Sequence, residues 1–176
     1  MQQELRFATF NVCNLALPGV KFYEDQIPYS QEDYEAKTAW IAQQLDRLDA
    51  DVIGLQEIFS QAALRHALSK TKNYQNAQHI GFDPDPAADH LTPSVALISR
   101  LPVIGDGEAL TQLPHGLRIA LPGVQQPLAR FTRPILRACI QARPGLQIQV
   151  FVCHLKSKMP DYRADVTGDH PDQTGV

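Results

Sequence analysis

The fold of this chain is decided by residues 50–57, which read ADVIGLQE. A short apolar run stands here between an acidic turn and a polar Gln-Glu pair, which predicts a short buried strand over Asp51–Gln56. Helical patterns flank it, from Ser30 to Leu48 with a capping-box start and from Ser60 to Leu68. Leu5–Val12 predicts an earlier strand. The chain therefore opens as β-α-β-α.

The rest of the chain has strand patterns separated by Pro and Gly turns. Residues 82–93 have loop chemistry, with three prolines and three aspartates. The sequence therefore predicts an α/β (α+β) fold, with one domain over residues 1–176. The further predicted strands are Tyr74–Ile80, Ser94–Ser99, Ala109–Leu113, Leu117–Leu121, Arg137–Ala142 and Gln147–Cys153.

Composition and charge exclude several classes of protein. The chain is 44% hydrophobic and 20% charged, which is typical of a globular protein rather than a disordered or fibrous one. Its apolar runs are far shorter than the roughly 20 residues that cross a bilayer, and its start lacks a signal pattern, so we expect a cytoplasmic protein. A net charge of −3 without a Lys/Arg run argues against a broad basic surface for nucleic acid. A nuclease stays open, because a metal ion can supply local positive charge.

The three cysteines stand singly. Cys13, Cys139 and Cys153 have neither CxxC spacing nor companion histidines at zinc-site intervals. Because free cysteines are commonly buried, we expect three buried thiols.

In three predicted strands, the alternation that places apolar residues on one face puts a polar residue on that same face at the C-terminal end. These residues are Asn11, Glu57 and His154, provided that no bulge shifts the parity. If the strands lie in one sheet, the three side chains converge at one edge, where a metal ion or an anion would offset the cost of burying them. Singly, Asn11 could cap a turn, Glu57 could begin a helix and His154 could be a partly buried, hydrogen-bonded histidine.

Four short motifs in order carry a family resemblance. They are Phe10-Asn11-Val12, Gln56-Glu57, Ser99-Arg100-Leu101-Pro102-Val103 and His154-Leu155-Lys156-Ser157. Together they resemble the endonuclease/exonuclease/phosphatase superfamily, the DNase I-like metal-dependent phosphoesterases. That group includes abasic-site endonucleases, inositol polyphosphate 5-phosphatases and bacterial sphingomyelinases.

The resemblance implies a role for each matching residue. Glu57 is expected to be the main protein ligand of a catalytic Mg²⁺, with Mn²⁺ as a possible substitute, and Asn11 to help hold the metal or its water. His154 is expected to donate to a phosphate oxygen, and Arg133, in Arg133-Pro134, to bind substrate phosphate. Arg130 and Arg137 are the alternatives for that last role. Lys156 and Ser157 are expected to orient the His154 loop or to be simply solvent-exposed.

The resemblance also implies that part of the machinery is missing. The family's DNase I-like four-layer α/β sandwich has two similar halves, and the chain matches the N-terminal one, so residues 1–176 form a partial domain without a C-terminal half. The second half's Asp-x-Asn and Ser-Asp-His elements do not follow His154; we interpret Gly168-Asp169-His170 as a surface loop. The 176-residue chain alone is therefore expected to be nearly inactive. We also expect an uncovered apolar sheet face, which would pair with the missing half or with a second copy. That face would contain Leu5, Phe7, Ile53, Leu55, Ile148, Val150 and Val152.

Two hypotheses on function follow. The first is a metal-dependent phosphoric ester hydrolase, in which an activated water attacks phosphorus in line. The substrate could be a nucleic acid, a phospholipid or an inositol phosphate. The second is an inactive half-domain that binds a phosphorylated ligand or a partner, and downstream Asp-x-Asn and Ser-Asp-His elements in the reading frame would argue against it. An unrelated α/β hydrolase lacks support, because no Gly-x-Ser-x-Gly elbow is present.

Overall fold

The computed structural model describes residues 4–23, 26–84, 91–120 and 126–155. Two helices and seven strands follow one another in these ranges, and the β-α-β-α opening is confirmed. The elements are β1 (Phe7–Leu15), α1 (Gln31–Leu48), β2 (Val52–Ile58), α2 (Gln61–Ser69), β3 (Gln78–Gly81), β4 (Ser94–Ser99), β5 (Val103–Gln112), β6 (Arg130–Arg143) and β7 (Leu146–Val152).

Both helices begin at the serines that the sequence indicates. The Ser30 hydroxyl accepts a hydrogen bond from the Asp33 amide, and α1 ends at Asp49 in the left-handed conformation. The Ser60 hydroxyl accepts from the Ala63 amide, and the Gln61 amide donates to the Asp83 carboxylate at 2.6 Å. These contacts satisfy amides that have no partner within their helices.

The strands form two sheets. Sheet A has the order β1-β2-β4-β3, with β1 and β2 parallel and the other pairs antiparallel. Sheet B is the antiparallel sheet β5-β6-β7, whose last two strands form the expected hairpin. Both helices cover one face of sheet A, where their apolar sides pack on alternate residues of its strands. This cluster includes Tyr34, Ile41, Leu45, Leu64, Leu68, Ile53, Leu55, Ala96 and Ile98.

The other face of sheet A packs against sheet B. Gly54 of β2 lies directly beneath Val152 of β7, so that a Cβ added at Gly54 would lie 3.2 Å from both methyl groups of Val152. This contact is tight because aligned sheets bury their facing side chains between them. The shared cluster consists of Val52, Val95, Leu97, Leu136, Ala138, Ile140 and Val152.

The two-sheet arrangement corrects the expectation of a single uncovered apolar face. Ile53 and Leu55 lie under the helices, Val152 lies between the sheets, and Phe7 is 49% exposed on strand β1. The seven residues therefore do not form one surface, and β6 and β7 cover the inner side of β2 and β4. Whether the chain pairs with a second half or with a copy of itself stays a prediction.

One predicted strand is wrong as far as the structure describes it. Leu117–Leu121 contributes a single bridge, between Ile119 and Leu128, rather than a strand. The α/β class is confirmed, and the described residues build three layers: helices, sheet A and sheet B. The outer face of sheet B presents Arg137 and Phe151 to solvent. Neither α1 nor α2 combines the length and the apolar composition that crossing a bilayer requires.

The histidine of β3 gives the fold a pH dependence. His79 Nε2 lies 2.6 Å from the Gln61 side-chain oxygen of α2. Burial lowers the pKa of His79 below its ordinary value of 6.5, the Arg65 charge lowers it further, and Asp83 opposes them. Because the unfolded chain then binds the proton more readily, this group's contribution to stability is present above about pH 6.5 and is lost as the pH falls through the folded-state pKa.

We therefore expect wild type to lose stability relative to His79→Gln as the pH is lowered from about 7.5 to about 5.5. Urea unfolding of both proteins across this range is the measurement. The unfolding free energy of wild type minus that of His79→Gln should fall toward the acidic end. Curves that stay parallel would contradict the assignment of this pH dependence to His79.

Candidate active site

Asn11, Glu57 and His154 lie together at one end of the sandwich, as the sequence predicts. The Asn11 side-chain amide donates to Glu57 Oε1 at 2.8 Å, and His154 Nε2 lies 3.5 Å from the same oxygen. The first two residues come from β1 and β2 of sheet A, while His154 follows β7 of sheet B. The packing of the two sheets, rather than a common sheet, therefore brings the three side chains together.

A bulge in β2 aims Glu57 at this site. Ile53 and Leu55 point toward the helices, and an unbroken strand would send Glu57 to the same side. Instead, Glu57 has a φ of +66°, and the register with β4 shifts between Gln56 and Ile58. Bulges turn side chains to new directions and are frequent at active sites. The bulge, and not an unbroken alternation of side chains along β2, therefore brings Glu57 beside Asn11 and His154.

The facing part of β1 is irregular as well. Cys13 and Asn14 have φ values of +55° and +62°, which non-glycine residues rarely adopt. The Cys13 amide donates to the Asn11 side-chain oxygen at 2.9 Å, and the Asn14 amide donates to Glu57 Oε2 at 3.1 Å. The Glu57 carboxylate thus accepts on both oxygens. Backbone strain of this kind collects at functional sites.

The surroundings of His154 favour the neutral form of its imidazole. Its side chain is only 11% exposed, and burial lowers its pKa, as does the Arg133 charge, while Glu57 opposes them. Nδ1 is buried without a hydrogen-bond partner among the described residues. We place the ring proton on Nε2, where it faces the Glu57 carboxylate. The buried Nδ1 is then an unpaired acceptor, whereas the other tautomer would bury an unpaired N–H at Nδ1 and turn a lone pair toward the carboxylate.

Of the three candidate arginines, Arg133 lies beside the site. Its guanidinium donates to the Leu155 carbonyl at 3.3 Å, next to His154, and its charge lowers the pKa of that histidine. Arg137 instead pairs with Glu108 at 2.8 Å. Phosphate binding by Arg133 stays a prediction. Lys156, Ser157 and the segment Gly168-Asp169-His170 lie outside the described residues.

The site contains residues that the sequence reasoning missed. The Tyr29 hydroxyl donates to the Asn14 carbonyl at 3.0 Å, and Lys37 Nζ lies 5.6 Å from the centre of the Tyr29 ring. Burial lowers the pKa of Lys37, whereas the charges of Cys13 and Glu57 raise it. Asn14 had a signal in the sequence, because asparagine is enriched in the left-handed conformation. Tyr29 and Lys37 had none, since only the fold brings them to the strand ends.

The donor atoms fit a hard cation that keeps most of its water. The Glu57 carboxylate and the Asn11 side-chain oxygen each retain a free lone pair. Mg²⁺ is commonly bound by one or two carboxylates together with waters and substrate oxygens. Within the described ranges, no group of three or more His, Cys, Asp or Glu side chains is placed to hold a metal ion by itself. The residues therefore suit a weakly held Mg²⁺ rather than a closed structural metal site.

The solved structures that are similar to this one include two proteins described as endonuclease/exonuclease/phosphatases. An endonuclease/exonuclease/phosphatase family protein from Leptotrichia buccalis C-1013-b has a TM-score of 0.51 and 15% identity over 87% of this chain. An endonuclease/exonuclease/phosphatase from Beutenbergia cavernae DSM 12333 has a TM-score of 0.47 and 19% identity over 88% of it. No protein-family model matches the sequence, and no curated protein matches it.

The first of these likenesses confirms the fold that the four motifs predict. The chain shares the fold of the Leptotrichia protein over 87% of its length. It spans 55% of the length of the Leptotrichia protein and 39% of the Beutenbergia protein. The likeness concerns the fold, and a shared fold does not determine which reaction the site performs.

Proposed function

We propose that this chain is part of a Mg²⁺-dependent phosphoric ester hydrolase in which a water molecule attacks phosphorus in line. The observation that carries the proposal is the meeting of Asn11, Glu57, His154 and Arg133 at one rim of the sandwich. Four strands from two sheets supply these groups, and two bulges adjust the strands that carry Asn11 and Glu57. Packing alone does not explain a carboxylate, an amide, an imidazole and a guanidinium at one place.

Each residue then has a definite task. Glu57 and Asn11 would hold the Mg²⁺, whose positive charge would polarise the phosphoryl group and orient the attacking water. Arg133 binds a non-bridging phosphate oxygen, for which the planar guanidinium is suited. The Nε2–H of His154, which faces Glu57 in the ligand-free site, would turn to a phosphate oxygen and donate to it as charge develops there. The neutral Nε2–H tautomer already carries this donor, so the step requires no further protonation.

The substrate is a phosphodiester or a phosphomonoester, in a nucleic acid, a phospholipid or an inositol phosphate. We expect selectivity to lie in residues 82–93 and 106–127, of which residues 106–112 belong to β5. We assign no general base among the described residues. Since general-base assistance contributes about 10²- to 10⁴-fold, we expect the 176-residue chain to be a poor catalyst without it.

The test is a hydrolysis assay with Mg²⁺ on a panel of phosphodiesters and phosphomonoesters. Both the 176-residue chain and the product of the complete reading frame are measured, with Glu57→Gln as the variant. Glu32→Gln is the matched control, because Glu32 is an exposed carboxylate in the first turn of α1. We expect activity that EDTA and Glu57→Gln abolish and that Glu32→Gln leaves intact. Activity that survives either EDTA or Glu57→Gln would contradict the proposal.

A further inference from the structure

Tyr29 lies in the segment before α1 and reaches the candidate site from the side. Its ring packs against Phe22, with the ring centres 5.7 Å apart, and lies beneath the Lys37 ammonium group. Its hydroxyl donates to the Asn14 carbonyl at 3.0 Å. Burial raises the pKa of Tyr29, and the nearby carboxylates of Asp33 and Glu57 raise it further. The hydroxyl therefore keeps its proton and remains a donor throughout the neutral range.

The Asn14 backbone connects this hydroxyl to the candidate metal ligand. The Asn14 carbonyl accepts from Tyr29, and the Asn14 amide donates to Glu57 Oε2 at 3.1 Å. A left-handed conformation is unfavourable for Asn14 unless its surroundings maintain it. The hydrogen bond to the Asn14 carbonyl fixes the peptide group that follows Asn14. Because the Asn14 amide belongs to the preceding peptide group, its direction is then restricted through the backbone torsions of Asn14.

The other contacts of the Glu57 carboxylate show why this amide matters. Oε1 accepts a hydrogen bond from the Asn11 side-chain amide and faces His154, whereas Oε2 accepts a hydrogen bond from the Asn14 backbone amide. Without this amide the carboxylate could rotate about its terminal torsion, which is broad for glutamate. Its free lone pairs would then no longer point in a fixed direction. A metal site loses affinity when the groups that orient its ligands are removed.

We propose that Tyr29 is a positioning residue, whose hydroxyl holds the Asn14 peptide and thereby orients the Glu57 carboxylate for its cation. This rests on the proposed function of Glu57. Lys37 supports the arrangement from α1, since its ammonium group over the Tyr29 ring restricts the ring's position. The segment before α1 is thus coupled to the metal-binding carboxylate through one side-chain hydroxyl.

Tyr29→Phe tests this, with Tyr74→Phe as the matched control. Tyr74 also donates its hydroxyl to a backbone carbonyl, that of Ala50 at 2.8 Å, but it lies in the core under the helices. Each variant removes one hydroxyl that binds a backbone carbonyl. Both can lower stability, so stability alone does not distinguish a positioning role from a structural one.

The first readout is the amide resonance of Asn14 in ¹H–¹⁵N spectra of the metal-free chain. A hydrogen bond to a carboxylate moves an amide proton downfield, so we expect an upfield shift in Tyr29→Phe and in Glu57→Gln. Tyr74→Phe should leave this resonance in place. An unchanged Asn14 resonance in Tyr29→Phe would overturn the proposal, and this result does not depend on any activity.

The second readout is Mn²⁺ binding, followed by water proton relaxation, which suits weak sites. We expect Tyr29→Phe to raise the dissociation constant about three- to tenfold, the loss that one hydrogen bond brings, and Tyr74→Phe to leave it unchanged. If Glu57→Gln removes Mn²⁺ binding while Tyr29→Phe leaves it unchanged, the positioning role is wrong and the metal site stands. If Glu57→Gln has no effect on Mn²⁺ binding, the proposed function itself fails.

Discussion

Gly54→Val is expected to destabilise the protein by about 3 kcal/mol, because it forces an extra side chain into the closest contact between the two sheets. A Cβ at Gly54 already lies 3.2 Å from both methyl groups of Val152, and valine adds two further carbons in the same space. The neighbouring inner residues Val52 and Leu97 are fully buried and cannot make room without strain. The expected fall in melting temperature is about 6 to 12 °C.

The same substitution should also disturb the candidate site. Val152 stands two residues before His154, so displacing β7 moves the imidazole away from Glu57. Thermal and urea unfolding measure the loss of stability. The control is Gly54→Ala with and without Val152→Ala: the smaller side chain at residue 152 should recover part of the stability that Gly54→Ala loses. If Gly54→Val melts like wild type, the sheets do not meet as described.

The local elements of this fold could be predicted from the sequence because their signals are local. Strand Ser94–Ser99 has the predicted bounds, and α1 begins after Ser30 as the capping pattern indicates. Helix caps and apolar periodicity involve neighbouring residues, so they are readable without the rest of the chain. The relation between β2 and β7 is not local, and the sequence therefore left open which sheet each strand joins.

The bulges are the part of the site that no periodicity could reveal. A single left-handed residue at Glu57 reverses the direction of its side chain, while the sequence QE has no glycine to indicate it. The expectation of three buried thiols is wrong for a related reason. Cys13 lies in the irregular part of β1 and Cys153 lies just after β7, and both are exposed at these strand ends. The residue type predicts only the average burial of cysteines, whereas the local backbone geometry determines how exposed each cysteine is.

The second large effect is expected from His154→Ala, in the protein form and on the substrate that the hydrolysis panel identifies. Removing the Nε2 donor deletes a hydrogen bond that strengthens as charge develops on the phosphate, and such deletions lower kcat by about 10²- to 10³-fold. If Arg133 binds the phosphate as proposed, KM should change little. Because the His154 side chain is only 11% exposed, the truncation also leaves a cavity, so thermal unfolding is measured beside the kinetics to confirm that the variant is folded at the assay temperature.

Two further variants separate catalysis from a general effect of losing a histidine. His115→Ala is the matched control, because His115 is an exposed residue in a turn and should leave kcat unchanged. His154→Gln retains an N–H donor of similar reach and should recover part of the lost kcat, which a purely steric role for the ring would not allow. Steady-state kinetics at saturating Mg²⁺ give kcat and KM for wild type and the three variants. Equal kcat values for wild type and His154→Ala would show that this imidazole, although it faces Glu57, takes no part in the chemical step.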